Sequence, residues 1–532
     1  MIPLTILRIR YSIKNIADRL FCHTVFFSER MFLYNRIRNN ESGAVMDPNT
    51  PSPQERRSSF ATVLVAEAAE RAGFYGVNAI LLLFMVQQLG ITDLRADLIV
   101  GAFAAMTYAT PLLGGWIGDR LYGPRWTAVL GTILLSTGYA LLACTMMSRP
   151  FFEPALALVA TGNGLFKPNA AQLVRRLYEK YPLKRDSAFT LYYMAANVGS
   201  ALSMLLIPWV RSTFNPLTAF FLCVAGPASA SFILLTQTHT LRDIGLLARH
   251  PHSRQRAAVL GIGSVLLCIL SVTFILYSTS LARLTVFTCF AMVCILWSKL
   301  YHRALAPEKA NLIALGILFL QSISFYCFYQ QMQTSLTLFA LTNLDGTFRL
   351  LGHRIVTFSA AQFQALDPLF IILLSSPMAR IYDFLNRRGR DFSLPTKFAI
   401  GFGFVVVAFF VWWIGIHVAA GKLTSAWFVM GGYLALATAE ILIGGLGLAA
   451  VAKYIPPNLS GIMVGAYYLT VGVGMYLGSE IASIASGTNF PRAIQSQHYE
   501  NLFGILCLCA LSLTLITSFL ASHLDRMQKH LP

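Results

Sequence analysis

From about Phe60 to the carboxy terminus, apolar runs of roughly 20–30 residues alternate with short polar turns. A helix rises about 1.5 Å per residue, so each run is long enough to cross a hydrocarbon core about 30 Å thick. Inside that core every backbone N–H and C=O must be satisfied within the segment, which makes the helix the natural form for runs of this length. They fall near residues 60–89, 97–120, 126–147, 154–177, 187–210, 216–236, 257–278, 282–300, 311–341, 361–386, 396–419, 425–454, 460–486 and 500–522. The expectation is an all-α polytopic membrane protein of about fourteen transmembrane helices. Only 12% of the 532 residues are charged and 56% are apolar, whereas a soluble chain carries about 25% charged residues. A string of soluble domains, a disordered chain, a coiled coil and a secreted disulfide scaffold are excluded together.

The net charge of +18 would suggest nucleic acid in a soluble protein. Here the basic residues sit in short loops, so they read as a record of membrane orientation and of contact with anionic lipid. With the amino terminus inside, the inner loops hold Arg120–Arg125, Arg175–Arg185, Leu241–Arg256, Lys299–Lys309, Arg380–Lys397 and the tail Asp525–Lys529. Most outer loops hold one basic residue each (Arg95, Arg149, Arg211, Lys422, Arg492); the loop with Arg349 and Arg354 holds two. Both termini are therefore expected inside. Residues 1–57 are read as a cytosolic extension, with Met46 as an alternative native start, and 525–532 as a cytosolic tail. Eight of the nine cysteines lie in apolar runs without a metal-type cluster, so no disulfide framework and no metal site is expected.

A weak internal repeat joins the second and third runs, where Gly114-Gly115-Trp116-Ile117-Gly118-Asp119-Arg120 leads to Arg125, and recurs at Pro377-Met378-Ala379-Arg380-Ile381-Tyr382-Asp383 to Arg390. Asp119, Arg120 and Arg125 are read as a gating loop. The organisation expected is an amino-terminal six-helix bundle over 58–240, an inserted helix pair over 241–310, and a carboxy-terminal six-helix bundle over 311–524. Repeats of this kind in transporters hold the substrate between the halves, near the bilayer midplane.

Charges inside the runs point to that place. A charged side chain at mid-membrane costs about 2.5–3.5 kcal/mol on insertion scales. The first run contains Glu67, Glu70 and Arg71, a gross cost of roughly 8–10 kcal/mol if all three faced lipid. Their i,i+3 and i,i+4 spacing puts them on one helix face, where they pair in part and leave one net negative charge. Lys167 sits mid-run beside Pro168, about ten residues from the basic inner end at Arg175, and is the candidate cation facing Glu67 and Glu70 across a water-filled cavity. In the second half the buried acids are Asp367 and Glu440, near Gln330, Gln331, Gln333, Tyr467 and Tyr468. One wall is basic and the other acidic, a polarity that fits a zwitterion with its carboxylate toward Lys167 and its ammonium toward Glu440. Tyr75, Tyr108, Tyr193 and Tyr467 are the aromatic residues close enough to those charges to merit a binding role.

At these residues the chain resembles the proton-dependent oligopeptide transporter family of the major facilitator superfamily. Glu67-x-x-Glu70-Arg71 followed by Phe74-Tyr75-Gly76 looks like its first-helix signature, Gly162-x-Gly-x-x-Lys167-x-Asn169 like its fourth, and Phe189-Thr190-Leu191-Tyr192-Tyr193 to Asn197 like its fifth. Gln331 to Thr337, Phe363-Gln364-Ala365-Leu366-Asp367-Pro368, and Glu440 to Gly447-Leu448 look most like the enterobacterial di- and tripeptide permeases. The resemblance covers about 58–522 and implies the major facilitator fold and proton-coupled import of di- and tripeptides across a bacterial inner membrane by alternating access. It further implies no cofactor beyond the coupling proton, and a monomer among membrane lipids with no nucleic-acid partner. It assigns proton coupling to Glu67, Glu70, Arg71 and Lys167, and the peptide site to Tyr75, Tyr108, Lys167, Tyr193, Asn197, Asp367 and Glu440, with Asn78, Gln330 and Tyr467 completing that site. The chain departs from the family at Phe74, Asn78, Gln330, Asp367 and Tyr467, where relatives often carry tyrosine, arginine, glutamate, asparagine and tryptophan.

Two other readings compete. The same scaffold could carry amino acids, nitrate or peptide-like drugs, though the acids at Asp367 and Glu440 argue for an amine-bearing cargo. A polytopic membrane enzyme would want a motif such as His-Glu-x-x-His or Gly-x-Ser-x-Gly, and the sequence has neither. No enzymatic activity is expected.

Overall fold

Proline, glycine and capping side chains set the ends of the helices. Pro124 and Pro216 occupy first-turn positions, where the missing N–H costs nothing. Asn215 and Ser393 accept hydrogen bonds from the backbone N–H groups of Thr218 and Thr396, at 2.8 and 3.2 Å. The computed structural model describes residues 53–237, 241, 254–388, 392–454, 457–486 and 491–529. The extension expected over 1–57 lies outside these except for its last residues, and the tail beyond 529 lies outside them too.

The helices are α1 Pro53–Gln87, α2 Asp93–Ala109, α3 Pro111–Ile117, α4 Pro124–Cys144, α5 Phe152–Leu177, α6 Pro182–Thr213, α7 Pro216–Thr236, α8 Arg254–Tyr277 and α9 Thr279–Arg303. They continue with α10 Ala306–Tyr329, α11 Ser335–Asn343, α12 Leu366–Arg387, α13 Leu394–Ala419, α14 Ala426–Tyr454, α15 Pro457–Ala485 and α16 Arg492–Lys529. Every apolar run is therefore helical. Two runs are interrupted: α2 and α3 form one span that ends in a π-turn at Gly118–Tyr122, and α10 and α11 form another, broken by a 3-10 turn at Gln330–Met332. Glycine ends the first of these. Gly123 has φ of 80°, which lets the chain reverse tightly before Pro124.

Among the described residues, thirteen helices are long and apolar enough to cross a membrane. The expected span outside that count is α5, which carries Glu153, Lys167, Arg175 and Arg176. Protein takes the place of lipid around it. Ala155, Val159, Gly162, Asn163, Phe166 and Asn169 are buried, and two glycines let the neighbouring backbone come close. A Cβ on Gly164 would lie 2.4 Å from Thr110 Oγ1, and one on Gly114 would lie 2.0 Å from the Gly164 carbonyl oxygen. The Thr110 hydroxyl donates to the Ala160 carbonyl at 2.8 Å, which fixes α5 at this depth.

The inserted helices α8 and α9 are anchored by polar contacts. Tyr122, at the end of the π-turn, donates to the Ala258 carbonyl on α8 at 3.0 Å, and Arg283 on α9 pairs with Glu480 on α15 at 2.7 Å. Helices α2 and α15 pack along each other, where a Cβ on Gly101 would meet Ser479 at 2.5 Å and Ser486 donates to Asp97. Gln362, just before α12, donates to the Leu205 carbonyl on α6 at 3.0 Å.

The segment with Arg349 and Arg354 is more than a loop. Thr347–Leu350 (β2) pairs antiparallel with His353–Thr357 (β3) around Leu351 and Gly352, both at positive φ, and Leu344–Asp345 (β1) pairs parallel with Thr424–Ser425 (β4). The eight cysteines among the described residues are all free.

Candidate functional site

The buried charge starts on α1. Glu67, Glu70 and Arg71 share a face and are 3%, 0% and 4% exposed. Arg71 Nε lies 2.5 Å from Glu70 Oε2 and 3.5 Å from Glu67 Oε1, and Nη2 donates to Asn163 Oδ1 on α5 at 2.8 Å. The Asn163 amide in turn donates to the Thr107 carbonyl on α2 at 3.3 Å. Glu67 Oε2 accepts from the Tyr192 hydroxyl on α6 at 2.5 Å. Four helices thus converge on one arginine and two carboxyls. The Phe74 ring, standing where relatives often have tyrosine, packs 5.1 Å from the guanidinium carbon, so the lost hydroxyl is replaced by a cation–π contact.

Lys167 follows Asn163 by one turn of α5. Its ammonium sits over the rings of Tyr108 and Tyr468, 5.0 and 5.7 Å from their centroids. It is close enough to Glu67 and Glu70 to feel both charges, yet among the described residues no carboxylate is within ion-pair distance of it. Lys167 is turned inward, toward Tyr468 on α15, rather than outward to the surrounding hydrocarbon.

The acids of the second half line a cavity of about 80 Å³, smaller than the roughly 300–1,000 Å³ of sites that hold a small molecule. Asp367 from α12 and Glu440 from α14 form its acidic wall, and Tyr75, Tyr193, Asn197 and Tyr329 line it as well. Tyr329 donates to Asp367 Oδ2 at 3.0 Å. Rings connect this wall to Lys167: Tyr108 lies 6.5 Å from Tyr326, which lies 5.9 Å from Tyr329. Among the described residues no group of three or more His, Cys, Asp or Glu side chains could hold a metal.

The expected site residues divide. Tyr75, Tyr193, Asn197, Asp367 and Glu440 line the cavity; Lys167 and Tyr108 lie beyond the ring pair of Tyr326 and Tyr329. Gln330 is turned away from it: the side chain is fully buried in the break between α10 and α11 and donates to Ser479 at 3.1 Å, with Gln333 on the lining in its place. Asn78 is half-buried and outside the lining. Tyr467 packs on Phe319 at 5.5 Å and over Gly447, where a Cβ would meet its hydroxyl at 2.0 Å. In the loop expected to gate, Asp119 accepts from Gln172 on α5 at 2.6 Å and Arg120 is exposed, while Arg125 is buried and donates to the Leu234 carbonyl at the end of α7, at 3.0 Å.

Sequence reasoning left out Asn163, Tyr192, Tyr326 and Tyr329. Asn163 and Tyr192 stood inside the quoted motifs, and their polarity within apolar runs was the available signal. Tyr326 and Tyr329 are one turn apart on α10, a spacing that served equally well for packing.

The description "POT family" fits residues 125–496. The dipeptide and tripeptide permease B of Salmonella typhimurium is 32% identical over 489 residues, covering 90% of this chain and 98% of that protein. Among solved structures, a bacterial homologue of the human drug peptide transporters PepT1 and PepT2 superposes with a TM-score of 0.78 at 37% identity, over 88% of this chain and 99% of the other. Tetrameric PepTSo2 superposes with a TM-score of 0.79 at 36% identity, over 89% and 99%. The fold is that of the major facilitator transporters, six spans, an inserted pair and six more. On family description, relatives and architecture together, this multi-pass membrane protein belongs to the POT family.

Proposed function

We propose that the chain imports di- and tripeptides together with protons across a bacterial inner membrane by alternating access. The observation that carries this reading is the opposition of charge around one central region. Among the described residues Lys167 has no anionic partner, and Asp367 and Glu440 face a cavity with no cation in its lining. A peptide zwitterion supplies what each side lacks, its carboxylate toward Lys167 and its ammonium toward Glu440. Tyr75, Tyr193 and Asn197 border the cavity beside Asp367 and Glu440 and would set the position of the peptide backbone.

Proton coupling rests on Glu67, Glu70 and Arg71. Glu70 Oε1 is buried and receives no hydrogen-bond donor from any described residue, which supports Glu70 as the group that takes and gives the proton while Arg71 stays paired. A proton arriving there lowers the negative charge that Lys167 feels from the two carboxyls and leaves Lys167 to the peptide carboxylate. One proton moving down 100 mV yields about 2.3 kcal/mol, enough for roughly fiftyfold accumulation of a neutral zwitterion. The basic loops support a cytoplasmic location for both termini, and the bacterial permease relatives support the inner membrane. We take one chain as the transporting unit; the tetrameric neighbour makes the assembly worth measuring.

The test is uptake by proteoliposomes of an amino acid, a dipeptide, a tripeptide and a tetrapeptide, with and without an inward proton gradient. Uptake confined to di- and tripeptides and accelerated by the gradient is the expected result. Uptake of the amino acid alone would move the reading to a different amine-bearing cargo, and uptake indifferent to the gradient would remove the coupling.

A further inference from the structure

The acidic wall has a property that the import of a zwitterion does not by itself require. Asp367 and Glu440 come from different helices, α12 and α14, and their carboxyl groups are within hydrogen-bonding reach of each other. Asp367 is 8% exposed, and its Oδ1, like Glu440 Oε2, is a buried oxygen that receives no donor from any described residue. Neither group can donate to the other while both are ionised.

The groups facing the pair do not resolve this. Tyr329 from α10 donates to the other oxygen of Asp367. Tyr75 from α1, Tyr193 from α6 and Tyr433 from α14 line the same cavity with Gln333 and Gln364, and all of these are neutral near neutral pH. Among the described residues no Lys, Arg or His stands in the lining. Two bare carboxylates in such a place repel strongly, and two neutral acids leave the site without charge; one proton between them satisfies an orphan oxygen and removes most of the repulsion.

We propose that Asp367 and Glu440 share a single proton in the peptide-free protein, and that the ammonium group of an arriving peptide displaces it, so that the amine subsite exchanges a proton for a cation. The O–H bond between the two carboxyls breaks, the proton leaves to water in the cavity, and ammonium N–H groups donate to both carboxylates in its place. The site holds one net negative charge before and after. The exchange is separate from the proton carried by the α1 group, and it makes peptide and proton competitors at this wall. It rests on the reading of the cavity as a peptide site and adds to it the chemistry of the amine end.

Isothermal titration calorimetry tests it on the purified full chain, with alanylalanine as ligand in buffers of different ionisation enthalpy. About one proton released per bound peptide is expected in the unaltered protein, and close to none per bound peptide in Asp367→Asn. Equal release from both proteins, or no release from the unaltered one while the dipeptide binds, overturns the shared proton and leaves peptide transport intact. If Asp367→Asn does not fold, Asp367→Ser takes its place, and infrared difference spectra of the unaltered chain supply a second readout. A protonated-carboxyl band that disappears on adding dipeptide supports the exchange, and a band that persists overturns it. Absence of dipeptide binding to the unaltered chain overturns the peptide site and this inference with it.

Discussion

Glu67 accepts its hydrogen bond from Tyr192, 2.5 Å away and 125 positions further along the chain. The bond matters because Arg71 stands 3.5 Å from Glu67 but 2.5 Å from Glu70, so the two acids are held by different partners. A hydrogen bond to a charged group contributes about 1.5–3 kcal/mol. Tyr192→Phe is therefore expected to lower gradient-driven dipeptide uptake by about tenfold or more and to displace its pH profile. Binding of dipeptide, measured by calorimetry at one pH, should change far less. An unaltered pH profile would show that the Tyr192 hydroxyl has no part in coupling.

Glu70→Gln keeps the shape and removes the charge. Arg71 retains Glu67 and Asn163, so the buried guanidinium is not abandoned, and the loss of stability should be well short of the 3–5 kcal/mol seen when a buried pair loses one partner outright. The expected outcome is a folded protein without gradient-driven uptake that still exchanges labelled for unlabelled peptide. Gradient-driven uptake at the unaltered rate would take the coupling role away from Glu70.

Much of this was legible in the amino-acid sequence because the membrane enforces simple rules. Runs long enough to span become helices, and acids such as Glu67 and Glu70 inside a run must find partners. What stayed hidden depends on long-range geometry. Nothing local distinguishes Tyr192, which holds Glu67, from its neighbour Tyr193, which lines the cavity. Gln330 looks like a site residue by composition, yet the 3-10 turn between α10 and α11 rotates it onto Ser479. The hairpin over Thr347–Thr357 was missed because its strands are four and five residues long and lie between spans, where the apolar-run argument says nothing.

Lys167 and Glu440 are predicted to fail in different ways. Lys167→Ala removes the cation that sits over Tyr108 and Tyr468, and should abolish gradient-driven dipeptide uptake. Glu440→Ala leaves Asp367 alone on the acidic wall. It should weaken binding of a free-amine dipeptide by about tenfold or more, given the roughly 1.5–3 kcal/mol of a charge-assisted bond, while an N-acetylated dipeptide should be affected little. Competition calorimetry with the two ligands separates these outcomes. Kinetics like those of the unaltered protein in either variant would remove that residue from the site.

Gly447 and Tyr467 form a pair that can be tested by relief. A Cβ added at Gly447 would meet the Tyr467 hydroxyl oxygen at 2.0 Å and its ring carbon Cζ at 2.3 Å, distances that no rotation of the methyl group avoids. Tyr467 is 3% exposed and rests on Phe319 at 5.5 Å, so it has little room to retreat. Overpacking of this kind typically costs about 1–3 kcal/mol, and Gly447→Ala is expected to lower the thermal unfolding midpoint in detergent accordingly. Tyr467→Phe removes the nearest of the three clashing atoms. Gly447→Ala combined with Tyr467→Phe should recover part of the lost midpoint, a positive coupling that independent sites would not show. Simple addition of the two single effects would mean that the helices α14 and α15 adjust around the methyl group and that the hydroxyl is not what Gly447 makes room for.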